Sequence, residues 1–189
     1  MKQGYKYSWS EMEVLSENWK IFAKNHFGKS KTIGAQSFGN WSDPVLRKFE
    51  LKIPFSKGEI VLATSEFKPL KLTYQFSKGT NIEFLIYPED FTDKIANFLG
   101  SKEIEIGHKE FDENYFIKGS NEKFMHRLLN SQTRKFLLNN YISNFKLCQV
   151  NKADMIELNI VINELELVEM EKVLKLFKNC ITLVENGIN

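Results

Sequence analysis

A chain of 189 residues, 42% hydrophobic and 26% charged, is long enough to bury a substantial core and too apolar to remain disordered. Its net charge of +2 is spread through interleaved Lys and Glu, which argues against the concentrated basic stripe of a nucleic-acid binder. The nearest candidates, Lys29-Ser30-Lys31 and the group Arg127, Arg134 and Lys135, are thin, and Arg47 is the one remaining arginine able to grip a planar anion with two parallel bonds.

In chain order, "SWSEMEVLSENWKIFAKNHFG" opens with Ser10 and Glu13 at capping-box spacing. Met12, Leu15, Trp19, Phe22 and His26 then recur at helical intervals, and Gly28 supplies a stop. The next stretch, residues 29–44, is polar and glycine-bearing, closed by Pro44, and reads as the longest loop. Within it Trp41 is a large aromatic that periodicity does not bury. With Phe38 and Asp43 it forms a candidate partner-binding surface.

From Arg47 the period changes to two. Phe49, Leu51, Ile53 and Phe55 alternate with charged residues, "SKG" turns the chain, and "EIVLATSEF", "PLKLTYQF" and "IEFLIYP" follow. Four strands joined by tight turns predict an antiparallel meander with one buried face and one wet face. "EDFTDKIANFLG" predicts a short helix ended by Gly100.

The second half repeats the order of strands and then helix. "KEIEIG" and "YFIKG" predict strands, residues 121–139 a helix broken near Asn130-Ser131, and "NFKLCQV" and "MIELNIVIN" two more strands. A final helix runs from about Glu164 to Asn186. The fold class is therefore α+β. A single domain, 1–189, in two strand-then-helix halves of about 1–100 and 101–189, places antiparallel sheet against an N-terminal helix, a middle helical segment and a long C-terminal helix. On the last helix Leu167, Met170, Leu174, Phe177, Ile181 and Val184 form a seam that Val173 and Cys180 widen. The widened stripe favours packing on a sheet; the narrow seam alone would suit a homodimer.

Chemistry is harder to find. Gly119-Ser120 before a basic helix offers a candidate anion site of Ser120, Lys123, Arg127 and Arg134, with the two arginines seven residues apart. The competing reading is a capped helix, with Ser120 or Asn121 as the cap, and the Walker pattern is absent. His26, His108 and His126 lack metal-ligand spacing, so no metal and no cofactor is expected. Cys148 falls in a strand and Cys180 on an apolar helix face, where thiols act as small hydrophobes. No serine elbow is present, and the turn carboxylates are explained by capping.

The pattern Phe111-Asp112, Phe116, Gly119-Ser120, Arg127-Leu128-Leu129, Arg134 and Leu137-Leu138 is similar to a segment of uncharacterised bacterial domains of unknown function. The resemblance spans residues 111–138, implies no catalytic residue and favours a non-enzymatic or unknown role. The sequence shows no apolar leader, no membrane-length run and no disulfide framework, so a cytoplasmic location is expected. The expected activity is non-catalytic binding, with another protein as partner, in the manner of an adaptor or an immunity-type inhibitor. The alternatives are a carrier or sensor of an apolar small molecule held between sheet and last helix, or an enzyme built on the dispersed anion site.

Overall fold

A computed structural model of the chain describes residues 8–34, 48–65, 68–89 and 103–187. Among these, eight strands form one antiparallel sheet: β1 (Lys29–Ile33), β2 (Lys48–Phe55), β3 (Gly58–Ser65), β4 (Lys68–Gln75), β5 (Phe84–Pro88), β6 (Tyr115–Gly119), β7 (Ile142–Val150) and β8 (Ala153–Ile160). The helices are α1 (Trp9–Asn25), α2 (Lys109–Asp112), α3 (Glu122–Leu128), α4 (Ser131–Asn139) and α5 (Leu167–Gly187). The α+β class expected from the residue pattern is the one observed.

The strand order is β1-β2-β3-β4-β8-β7-β5-β6. This corrects the four-strand meander: β5 follows β4 in sequence but not in space, because the β7–β8 hairpin lies between them. That hairpin turns through Asn151 and Lys152, both at positive φ (52° and 68°), which matches a two-residue turn of the kind that follows strand twist. Strands from the two halves of the chain thus interleave in one sheet.

Register explains the buried face. Leu51, Leu62, Leu72, Leu158, Phe145, Ile86 and Ile117 pair in one unbroken row from β2 to β6. A second row joins Ile53, Ile60, Tyr74, Ile156, Leu147 and Phe84. All of these residues are buried, as alternation on a pleated surface requires. The helices pack on this face. Trp19 of α1 meets Phe49 with ring centroids 5.9 Å apart, and Phe124 of α3 meets Phe84 at 6.1 Å. The Tyr74 hydroxyl donates to Glu185 of α5 (3.2 Å).

The stripe of α5 behaves as its widened form predicts. Met170, Val173, Leu174, Phe177, Cys180, Ile181 and Val184 belong to the same buried cluster as the sheet. The seam that a homodimer through this helix would need is therefore used inside the protomer.

Local details differ from expectation at several points. The cap of α1 is Ser8, whose amide donates to the Glu11 carboxylate (2.7 Å) while Glu11 N donates to its hydroxyl (3.4 Å). The pairs Ser8–Glu11 and Ser10–Glu13 share one spacing, and the earlier pair gives the longer helix. The predicted loop from Lys29 begins as strand β1, hidden from periodicity because all five of its residues are exposed. The expected "KEIEIG" strand reduces to a bridge between Glu103 and Lys118. The break in the middle helix is observed, with Asn130 capping α4 through Thr133 N (3.0 Å). Helix α2, four residues capped by His108, was not anticipated. The predicted helix ending at Gly100 lies outside the described residues.

Candidate functional site

Of the four residues of the sequence-derived anion site, Ser120 precedes α3, Lys123 and Arg127 lie on α3, and Arg134 lies on α4. Ser120 is tied to β5: its amide donates to Glu83 O (2.9 Å) and its hydroxyl accepts from Glu83 N (3.0 Å). Asn121 caps α3 instead, accepting from Phe124 N (3.0 Å). Lys123 and Arg127 project from α3 as exposed residues. Arg134 belongs to α4, beyond the break, and its guanidinium donates to the Leu129 carbonyl. The capping alternative accounts for this stretch, and the helix break separates the arginines that continuous periodicity would have aligned.

The histidines have structural partners. His26 Nε2 lies 2.8 Å from Glu171, joining α1 to α5, and His126 lies 3.7 Å from Glu122 within α3. His108 Nδ1 accepts the Phe111 amide (3.4 Å). Among the described residues no three His, Cys, Asp or Glu side chains are gathered as a metal would need. Burial pushes the Cys180 thiol up to about 12 and raises Cys148 as well, which opposes the thiolate that a nucleophile requires.

The outer face of the sheet carries the charge. Glu157 of β8 sits between Lys71 (2.7 Å) and Lys146 (3.4 Å) and accepts from Asn159 (2.9 Å), which also donates to Asn144 (2.6 Å). Burial works to raise this carboxyl, but the Lys71 hydrogen bond and the two lysine charges outweigh it and hold it below the ordinary range. A carboxylate so fully engaged locks neighbouring strands together and is poorly placed to carry protons.

The most unusual geometry lies where α1 gives way to β1. Gly28 N donates to Ala23 O (2.8 Å) and Phe27 N to Lys24 O (3.3 Å). This is the paired arrangement in which glycine normally occupies the left-handed position after the cap. Here that position, with φ of 54°, is held by Phe27. The residue after it is glycine for a steric reason: a Cβ on Gly28 would lie 2.6 Å from the Lys52 carbonyl of β2. Phe27 is also 90% exposed. A large apolar ring therefore stands in water on a backbone conformation costing about 1–2 kcal/mol for a non-glycine residue.

Strand β1 follows immediately. It pairs with β2 and, among the described residues, with nothing on its other side. Lys29 lies directly opposite Lys52, Lys31 opposite Glu50 and Ile33 opposite Lys48. Beyond β1 the chain leads to Phe38, Trp41 and Asp43, the partner-binding candidates, which lie outside the described residues. Sequence reasoning missed Phe27 because a C-terminal glycine was at hand. The signal was the oddity of Phe27 directly before Gly28 at the end of an amphipathic run.

No protein-family model and no curated protein matches the sequence. Among solved structures, the fold is similar to the crystal structure of the mycobacterial trehalose monomycolate transport factor A, TtfA. The two superpose with a TM-score of 0.53 at 10% identity, over 89% of this chain and 95% of that one. The likeness is one of fold. No helix among the described residues is long and apolar enough to cross a membrane.

Proposed function

We propose that the protein is a non-catalytic binding domain whose partner is another protein, as for an adaptor or an immunity-type inhibitor. The observation that carries this reading is β1, an edge strand exposed at all five residues and entered through a solvent-facing phenylalanine. Exposed backbone edges are templates for a further strand, and aromatic anchors dominate protein interfaces. Phe38, Trp41 and Asp43, which follow β1 in the chain, are the side chains proposed to contact the same partner. Two free thiols suit a reducing compartment such as the cytoplasm. The test is affinity capture with cross-linking on the intact protein. A Trp41→Ala variant should lose the partner that the parent retains, and retention of every partner would remove this surface from the reading.

A second reading, carriage of an apolar small molecule between the sheet and α5, draws on the fold shared with a transport factor. Protein binding is preferred because ring pairs occupy the inner face, Phe84 against Phe145 and Tyr74 against Phe76, each with centroids 5.1 Å apart. Native mass spectrometry would decide for carriage by showing a co-purified lipid mass. The enzyme alternative draws on the group Ser120, Lys123 and Arg127, of which Ser120 is engaged with Glu83.

A further inference from the structure

Building on the protein-binding reading, we infer that the partner presents an extended segment with acidic residues at alternate positions and an apolar residue at one end. This segment adds as an antiparallel or parallel strand along β1, with Phe27 as the hydrophobic clamp at the strand's entrance. Three independent features of the corner between α1 and β1 support this.

The first is backbone chemistry. Among the described residues nothing pairs with the outer edge of β1, and alternate residues of such an edge direct their N–H and C=O groups away from the sheet, where a second chain can pair. The second is charge. Lys29, Lys31 and Ile33 share the outer face with Lys48, Glu50 and Lys52, giving four lysines against one glutamate on the two outermost strands. Lys29 opposes Lys52 in direct register, a like-charge pairing that destabilises a sheet unless an anion relieves it. A carboxylate on the incoming strand, beside Lys29 or Lys31, supplies that relief. The same lysines disfavour a second copy of this chain, because pairing two β1 edges would add lysine to lysine.

The third feature is Phe27. Its ring is 90% exposed and its backbone sits at φ of 54°, where glycine would be favoured, so the fold gains nothing visible from it. An apolar side chain at the end of the added strand that lies beside Gly28 gives the ring a contact. The binding signature is therefore acid at every second position, with an apolar residue at the end nearest Phe27.

The experiment pans a displayed library of random dodecapeptides on the intact protein and measures the enriched peptides by fluorescence anisotropy. Sequences with Asp or Glu at alternate positions and an apolar residue at one end should be enriched. The Lys29→Glu, Lys31→Glu double variant should weaken their binding at least tenfold. Phe27→Gly should weaken it comparably while leaving the fold at least as stable, which separates lost binding from lost structure. Amide exchange at residues 29–33 should slow in the complex. Enrichment of basic or uncharged sequences, absence of enrichment, or binding indifferent to these variants would overturn the inference. So would Phe27-dependent binding of phosphatidylglycerol vesicles in place of peptide, which would mark the corner as a membrane contact. If the peptides fail but capture through Trp41 succeeds, the protein-binding reading stands and this inference alone is lost.

Discussion

Replacing Phe27 with glycine should make the protein more stable, against the usual sign of a point mutation. The left-handed backbone at φ of 54° costs a β-carbon-bearing residue about 1–2 kcal/mol, and glycine nothing. Against this, glycine frees the unfolded chain by about 0.4–1 kcal/mol. The ring is 90% exposed, so its removal forfeits little burial. The balance is a gain of about 1 kcal/mol, or a rise of about 2–4 °C in Tm for a chain of this size. Thermal unfolding followed by circular dichroism, parent and variant side by side, reads this directly. A lower Tm for the variant would refute the reasoning, since it would mean the ring supports the fold despite its exposure.

Other substitutions test the interior. Leu158→Ala, in the middle of the paired leucine row and fully buried, should cost about 2–5 kcal/mol by urea titration; a loss under 1 kcal/mol would contradict a tightly packed row. Because Glu157 is held below its ordinary value of 4.5, its contribution is present above that value and lost as pH falls through the depressed folded-state value. Stability of the parent should therefore fall more steeply than that of Glu157→Gln as pH drops below about 4.5, and parallel profiles would show the lysine pairing to be weightless. With its thiol pushed up to about 12, Cys180 should resist a thiol-reactive dye in the native protein and react only as the protein unfolds; rapid native labelling would disprove the burial.

The parts of the fold legible in the sequence were those where one face is buried and the other wet. Phe49, Leu51 and Ile53 on β2, or Ile156, Leu158 and Ile160 on β8, announce their strands because alternation follows burial directly. The α5 stripe is legible for the same reason. Neighbour relations are not encoded in that signal. Alternation says which side of a strand is inward and nothing about which strand lies beside it, so the entry of β7 and β8 between β4 and β5 was invisible. Strand β1 escaped because an edge with no buried residue has no alternation to show. Within the anion site, helical spacing joined Arg127 to Arg134, while the caps at Asn121 and Asn130 place them on two helices, a division that spacing alone does not show. Phe27 stood out only once dihedral angles were in view, because its meaning lies in the backbone conformation it tolerates.

The placement of the β7–β8 hairpin also governs how the molecule can assemble as it is made. β2, β3 and β4 can zip together soon after synthesis, since each pairs with its successor. β5 cannot join them: its partners, β6 and β7, are still to come, and the gap beside β4 is filled by β8, which ends at Ile160. Nascent chains halted before that point must keep the apolar side of β4 and β5 unprotected. Chaperone dependence and proteolytic sensitivity should therefore stay high until β8 has docked and α5, made after it, has covered the sheet.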